Sequence, residues 1–570
     1  MASKPTDLIY GVDDVPPLPR LIALGFQYAI MISVYLILVL LVARAAKLST
    51  SETAGLISLA LIACAVATAL QAWRGRFFGS GYLVPSAYSA IYFGPAILAA
   101  KAGGIPAVAG MTVFAGLIEI LLSRLLEPFR VVFQPIIAGL AVFVVGLQLG
   151  LVGVSEAFDV DGELQPGFAD AVGVALVTLA ACIGFSIWGR GILRLVSTLL
   201  GLALGVVVAM LAGLIGAPTF DAVGAAPWLS LPDPSYLSFG FEPALIPAFI
   251  ASAIAATLRT VGVVTTAQRI NDADWRRPDM ANISRGIVGD GLGCLVAGLV
   301  GAPGQSGAPS LVGLSSATSA TSRAIAFAAA LFLVAFAFLP KFGAAIIGLP
   351  PGIAGGMLMF TASFLVVSGI EVMFTRGIDL RGGFAVSVAL FVGLLTQAKP
   401  EYFEHLPAWI QTITSDMLTV SLATAILLTL IFRIGIHRRG SADWQATRDA
   451  HAELARFLAT EGKAWKLRDD VIGRASDTAA RVVDDLDHDG YLASPVAMEA
   501  NYDTLELAVT LVYRGRPPPV PHHHTPFHPL HHQETAASSG LATFLLDAGA
   551  DRTSVTTRDD NVTIRLGFSA

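Results

Sequence analysis

The sequence predicts an all-α integral membrane protein of fourteen spans, built as two inverted seven-span repeats with broken helices and followed by a small cytoplasmic α/β domain. Three observations carry that expectation. Of 570 residues, 55% are hydrophobic and only 14% charged, with a mean hydropathy of +0.69, an oiliness that a soluble core does not need. Fifty-six glycines and thirty-one prolines suit close-packed and interrupted membrane helices. Two polar, glycine-rich stretches, 79–90 and 301–323, enter apolar runs through Pro85-Ser86 and Pro309-Ser310. Non-helical backbone at that depth survives only where protein or a water-filled cavity satisfies its N–H and C=O groups, and such interruptions point to a transporter's binding site. The competing reading is a pair of ordinary loops, where Gly and Pro also collect.

Apolar runs near the ~20 residues that cross a bilayer fall at 21–43, 53–73, 104–123, 131–154, 168–187, 192–216, 243–266, 286–301, 324–340, 344–372, 382–398 and 414–434. Shorter runs at 82–100 and 308–323 are the broken segments. Lys and Arg favour cytoplasmic loops. Alternate loops hold Arg74 and Arg76, Arg124 and Arg130, Arg190 and Arg194, Arg269 to Arg285, Arg376 and Arg381, and Arg433 to Arg439; the opposite set holds only Arg44, Lys47, Lys101, Lys341 and Lys399. Both termini are therefore expected in the cytoplasm, with the protein in the cell (inner) membrane.

The halves repeat. Gln134-Pro135-Ile-Ile-Ala138-Gly139 precedes one long apolar run as Pro350-Pro351-Gly-Ile-Ala354-Gly355 precedes another, and Pro85-Ser86 matches Pro309-Ser310 at a nearly equal offset. Seven spans per half is an odd number, which inserts the second copy upside down and brings the broken helices together near the midplane. Chance recurrence of Pro-x-x-Ala-Gly in Gly/Pro-rich helices is the alternative.

Domain limits follow from composition: a polar N-terminal segment 1–19, a transmembrane domain 20–436, and a soluble domain 437–570. Residues 441–488 are charged with helical periodicity, 504–513 and 561–568 alternate like strands, and 540–547 reads as helix. The Pro- and His-rich stretch 514–538 reads as a loop, since its histidines lack Cys or paired acids at ligand spacing. Cys64, Cys182 and Cys294 each lie in an apolar run as small hydrophobes, with no disulfide or metal spacing. The N-terminus lacks the basic n-region and cleavage site of a secretory signal.

Several stretches together resemble the nucleobase/ascorbate transporter family, the nucleobase–cation symporters of xanthine/uracil permease type. They are Tyr10-Gly-Val-Asp-Asp14-Val-Pro-Pro17 with Gly25-Phe-Gln27, Ile283-Ser-Arg285-Gly286-Ile-Val-Gly-Asp290-Gly291-Leu-Gly293, and Gly313-Leu-Ser-Ser-Ala-Thr318 with Ser322-Arg323. The resemblance covers about residues 8–435. It implies fourteen spans in two inverted repeats, a core and a gate domain, a homodimer, and transport of a purine, pyrimidine, urate or ascorbate with H⁺ or Na⁺ as coupling ion. The chain departs from the pattern where the family keeps carboxylates or amides, with Ser310 and Leu311 before Gly313 and Arg259-Thr-Val-Gly262 in the eighth span, and it has Tyr28 where a His often follows the Gln. A carboxylate can accept two base N–H groups, whereas Arg can only donate.

The expected substrate pocket therefore takes Gln27 and Tyr28 from the first span, Ser86, Tyr88 and Ser89 from the first broken segment, Arg259 and Thr260 from the eighth span, and Ser310, Leu311 and Gly313 from the second. Half-helix N-termini add positive potential that suits an anion or a carbonyl-rich ring. Each serine has a competing role bonding its own helix backbone, and Arg285 with Asp290 reads as an ion pair or cap near a cytoplasmic loop. The partners expected are a small molecule and the lipid bilayer, with no cofactor, nucleic acid or enzymatic activity. A sulphate-permease-like anion carrier or channel, and a membrane sensor with a regulatory tail, are the rival functions. The tail faintly resembles the histidine-kinase-like ATPase fold between Gly540 and Phe568, but has Tyr513-Arg-Gly-Arg516 in place of a nucleotide box, which implies regulation or assembly and no ATP hydrolysis.

Overall fold

The computed structural model describes residues 4–569 apart from 126–133, 159–167, 375–379, 407–413, 433–437, 445–449, 492–495, 503–505, 517–549 and a few isolated positions. It forms two compact units, 1–429 and 430–570.

In the first unit, α1 (Leu18–Ser33) and α2 (Leu36–Ala45) make one apolar segment interrupted at Val34 and Tyr35. α3 (Thr50–Ala72) starts at a capping box in which the Ser49 hydroxyl accepts from the Glu52 amide and the Glu52 carboxylate accepts from the Ser49 amide, closing two of the donors a helix start leaves open. After β1 (Ser86–Tyr88), α4 (Ala90–Leu125) turns a corner at Gly103 and Gly104, the latter at φ +66°, where a residue with a Cβ would be strained. α5 (Pro135–Phe158), α6 (Phe168–Trp188), the single turn α7 (Ile192–Leu195), α8 (Ser197–Leu211) and α9 (Ala217–Ala225) follow. Next come α10 (Ile246–Asn271), α11 (Met280–Leu299), β2 (Gln305–Gly307) and the nine-residue α12 (Pro309–Ala317). The unit closes with α13 (Arg323–Ala337), α14 (Pro340–Ile347), α15 (Pro351–Phe374), α16 (Leu380–Ala398) and α17 (Met417–Phe432).

Among the described residues, eight helices are long and apolar enough to cross a membrane, or nine if α13 and α14, bent by 81° at their junction, are one span. The run read as 344–372 divides here at Gly348-Leu-Pro350 into α14 and α15, because a proline disfavours helix in the residue before it. The run read from 286 starts earlier, at Met280, where the Asp279 side chain caps the Asn282 amide.

The duplicated Pro-x-x-Ala-Gly segments become the starts of α5 and α15, and these two helices pack against each other in antiparallel fashion. A Cβ on Gly369 would lie 2.6 Å from the Phe143 amide nitrogen and 2.8 Å from the Gly139 carbonyl; one on Gly355 would lie 2.6 Å from the Ala157 amide and 2.7 Å from the Gly153 carbonyl. Gly139, Gly146 and Gly153 recur every seventh residue, the small-residue stripe that lets membrane helices touch backbone to backbone.

The second unit is a five-stranded antiparallel sheet of order β3-β4-β5-β7-β6, made of β3 (Arg438–Trp444), β4 (Val496–Tyr502), β5 (Glu506–Arg514), β6 (Arg552–Arg558) and β7 (Asn561–Ser569), with helices α18 (Ala450–Ala464) and α19 (Asp469–His488). Leu507, Val509, Leu511 and Tyr513 alternate inward on β5 as Val562, Ile564, Leu566 and Phe568 do on β7. They meet Val471, Ala475, Ala479, Val482 and Leu486, one stripe of α19. Trp444, read as part of a helical pattern, ends β3 opposite Val496, since pairing along a sheet edge overrides a weak local period. The helix read at 540–547 and most of the His-rich loop lie outside the described residues.

Candidate functional site

β1 and β2 are three residues each and pair antiparallel: Ser86 opposite Gly307, Ala87 opposite Ser306, Tyr88 opposite Gln305. Their backbone bonds continue at both ends, Ser89 N to Gly304 O at 3.1 Å and Ala308 N to Pro85 O at 3.0 Å. An isolated two-stranded ribbon this short has no stability of its own, so neighbouring side chains must hold it. Thr68 of α3 accepts from the Ser86 amide at 3.2 Å. Gln305 Nε2 donates to the carbonyls of Ala63 at 3.2 Å and Gly293 at 2.8 Å.

The central anchor is Asp290 of α11, only 2% exposed. Its carboxylate accepts from the Gly307 amide at 3.0 Å, from Gln71 Nε2 at 3.2 Å and from the Thr260 hydroxyl. One side chain thus ties α3, α10 and β2 to α11. The expectation that Asp290 pairs with Arg285 near a loop is corrected: it is buried beneath the strands, because the glycines at 286, 289, 291 and 293 let α3 and α4 close over it. Behind the ribbon, Tyr92 donates to Glu119, which is fully buried, and a Cβ on Gly304 would collide with the Tyr92 ring.

Each strand delivers the chain to a helix start. Ser89 precedes α4 and accepts from the Ile91 amide at 3.3 Å; Pro309 opens α12. Arg259 of α10 reaches the first of these ends, its Nη1 donating to Ser89 Oγ at 3.0 Å. Tyr35, placed by the interruption between α1 and α2, shares a 3.0 Å hydrogen bond with Ser310 Oγ at the second. Tyr28, fully buried, donates to the Leu311 carbonyl at 3.2 Å.

The structure gathers most of the expected residues around the two helix ends but divides their roles. Arg259 and Ser89 meet at the start of α4, and Ser310 stands at the start of α12; among the described residues, nothing beyond the helix's own neighbouring backbone lies within 4 Å of where a Cβ on Gly313 or Gly262 would stand. The side-chain polar atoms Gln27 Nε2, Ser86 Oγ and Arg259 Nε are buried without a hydrogen-bond partner among the described residues, as are Thr257 Oγ1 and Ser306 Oγ. Buried polar atoms are ordinarily paired, and unpaired ones call for a ligand or water. Tyr88 and Thr260 turn the other way, Tyr88 to the Ala60 carbonyl at 2.8 Å and Thr260 to Asp290, and Leu311 offers its backbone only. Sequence reasoning missed Tyr35, Gln71 and Thr68, whose positions in apolar runs carry no periodic mark, and Gln305, which lies in the polar stretch 301–323 without a feature that singles it out. It also missed a second polar contact: Gln148 of α5 donates to Asp416 at 2.9 Å, and a Cβ on Gly94 of α4 would lie 3.5 Å from that carboxylate. Asp416 itself caps α17 through the Thr419 amide at 2.8 Å.

The polar ribbon thus places two helix starts, with their hydrogen-bond donors and hydroxyls, inside an apolar bundle. The family model described as Permease family, Xan_ur_permease, matches residues 19–402. The chain belongs to this family of permeases. Curated relatives include a putative purine permease of Clostridium perfringens, 27% identical over 75% of this chain and 93% of the relative. The uric acid permease PucJ of Bacillus subtilis is 27% identical over 73% of this chain and 93% of PucJ. The xanthine permease XanQ of Escherichia coli is 27% identical over 75% of this chain and 94% of XanQ. Among solved structures, that of SLC26A9 covers 75% of this chain and 68% of its own at 12% identity and a TM-score of 0.48, too low to bear on function. The permease is a multi-pass membrane protein and a transporter by family, not an enzyme.

Proposed function

We propose that this permease is a secondary active transporter of a nucleobase-like compound, a purine, pyrimidine, urate or close relative. The observation that carries the reading is the antiparallel β1–β2 ribbon, which sets two helix starts side by side among apolar helices and carries the unpaired hydroxyls of Ser86 and Ser306. Membership of the permease family and the purine, uric acid and xanthine permeases among its relatives support the chemical class. A planar heterocycle with ring N–H and carbonyl groups matches hydroxyls and backbone amides that can both donate and accept.

The architecture proposed is fourteen spans in two inverted repeats. The antiparallel pairing of the two strands and of α5 with α15 supports it, because a two-fold axis in the membrane plane relates elements in that way. Helices α1 to α4 and α10 to α14 then carry the site, and α5, α6, α8 and α15 to α17 form the gate. In this reading residues 1–19 and 437–570 are cytoplasmic, 20–436 is the transport domain, and the protein is a homodimer in the inner membrane. The tail regulates or localises the transporter. The pocket is lined by Gln27, Tyr28, Ser86, Ser89, Arg259, Ser310, Leu311 and Gly313, with Tyr88 and Thr260 as supports. A proton or sodium ion travels with the substrate.

Uptake of labelled xanthine, urate and uracil into proteoliposomes, with and without an imposed pH or Na⁺ gradient, tests this. Gradient-stimulated uptake of at least one compound is expected. Binding without flux would make the protein a sensor, and flux of sulphate without any nucleobase would make it an anion carrier.

A further inference from the structure

Arg259 has no reason to be where it is unless something negative comes to it. It is the fourteenth of the 26 residues of α10, so at 1.5 Å per residue it lies about 18 Å from the nearer helix end. That is beyond the reach of a snorkelling side chain, and charged residues at such depth are functional by default. Its contacts in the fold are few. Nη1 donates to Ser89 Oγ at 3.0 Å, Nε is buried with no partner, and no carboxylate lies within ion-pair distance among the described residues. The ionisable groups that act on it are Tyr35 and Asp290. Tyr35 holds Ser310. Both Asp290 oxygens are already engaged by Gln71, Thr260 and the Gly307 amide, and Asp290 makes no ion pair with the guanidinium. The guanidinium stands instead at the start of α4, one strand pair away from the start of α12, and both helix ends add positive potential. Gly262, three residues on along α10, and Gly313 of α12 both border open space.

We infer that Arg259 makes the site select an anionic planar substrate, urate or another heterocycle carrying a negative charge at the pH of transport, over a neutral base. The inference rests on the transport reading above and names its substrate class. The forked guanidinium presents Nε and Nη in one plane, the arrangement that grips two oxygens or an oxygen and a ring nitrogen bearing negative charge. A neutral ligand leaves that half-buried cation with no ion-pair partner. The Ser89 hydroxyl beside the guanidinium and the Ser310 hydroxyl at the start of α12 supply further polar groups.

The test is binding to the full chain in liposomes, with urate as the anionic probe, uracil as the neutral one and sulphate as a small anion unrelated to nucleobases. The wild type should bind urate in preference to uracil. Arg259→Gln should weaken urate by about tenfold to a hundredfold, the worth of a charge-assisted pair of hydrogen bonds, and change uracil far less. Arg259→Lys keeps the charge without the planar fork and should retain the preference at lower affinity, which keeps the inference testable if the Gln variant fails to fold. Urate binding that is unchanged in Arg259→Gln overturns it, as does an equal loss of urate and uracil, or a Lys variant that prefers uracil. Sulphate binding that depends on Arg259, with no nucleobase bound by the wild type, would uphold the anion site and sink the nucleobase reading. A wild type that binds uracil but neither anion would do the reverse.

Discussion

Asp290→Ala should be the most destructive single substitution in the binding region, and the reason can be worked from its partners. The carboxylate serves three donors that have no water to turn to: the Gly307 amide, Gln71 Nε2 and the Thr260 hydroxyl. A buried donor left without an acceptor costs about 1–3 kcal/mol. Gln71 keeps its bond to the Gly286 carbonyl at 2.8 Å, which leaves two donors orphaned and a loss of about 2–6 kcal/mol, a large share of the ~5–15 kcal/mol by which folded proteins are stable. Asp290→Asn retains one acceptor oxygen and should lose about half as much, provided its amide does not face the Gly307 N–H. Thr260→Val removes a single donor along with its need for a partner and should be the mildest of the three. The assay is thermal unfolding of detergent-solubilised protein, followed by fluorescence-detected size exclusion, alongside uptake in proteoliposomes. The expected order of melting temperature is wild type, Thr260→Val, Asp290→Asn, Asp290→Ala, with uptake failing in the last even at temperatures where it remains folded. An Asp290→Ala variant that melts with the wild type would show that the ribbon is held by something else.

Four further outcomes follow from the same geometry. Gly313→Val should leave expression and melting temperature intact, since nothing stands within 4 Å of the new side chain's Cβ, yet abolish uptake by filling the opening; normal uptake would remove α12 from the pocket. Gly369→Val should do the opposite, lowering the yield of folded protein, because its Cβ would press to 2.6 Å on the Phe143 amide and overpacking of this kind costs about 1–3 kcal/mol or more; a wild-type melting curve would contradict the α5–α15 contact. Truncation of the chain through Asp14 removes the backbone bonds from Tyr10 to Ser319 and Thr321, at 3.1 and 2.8 Å, and the Arg323–Asp13 pair at 2.8 Å. Protease sensitivity between Thr318 and Arg323 should then rise in membrane vesicles, and an unchanged digestion pattern would deny the clasp. The full-length protein should show no micromolar ATP binding by calorimetry, and such binding would mean that the carboxy-terminal unit retains a nucleotide site.

Which parts of this were legible in the residues follows from the range of the forces involved. Hydropathy is a local property, so the apolar spans, the Pro-Ser interruptions at 85–86 and 309–310 and the alternating strands β5 and β7 could be read directly, and the glycine-to-arginine stretch 313–323 marked the family. The duplicated Pro-x-x-Ala-Gly segments announced a repeat. What they could not announce was that the two copies meet each other, Gly139 against Gly369 and Gly153 against Gly355, because backbone contact between helices more than 200 residues apart has no local signature beyond an excess of small residues. The same holds for Asp290. Near Arg285 in the chain it reads as part of an ion pair or cap close to a cytoplasmic loop; only packing shows it beneath Gly307 and next to Thr260 and Gln71, 219 residues away along the chain in the last case. Tyr35 was invisible for a further reason, since an interruption two residues long between α1 and α2 breaks no hydrophobic pattern. Arg259 stood out from the start because a charge within a span is rare at any alignment, but its lack of an ion partner among the described residues is a fact about three-dimensional surroundings. Sequence determined that the chain spans a membrane, where it is interrupted and which family it joins; tertiary structure decided which of the polar residues at the interruptions hold the ribbon and which keep unpaired atoms, because hydrogen bonds are satisfied across the bundle and not along the chain.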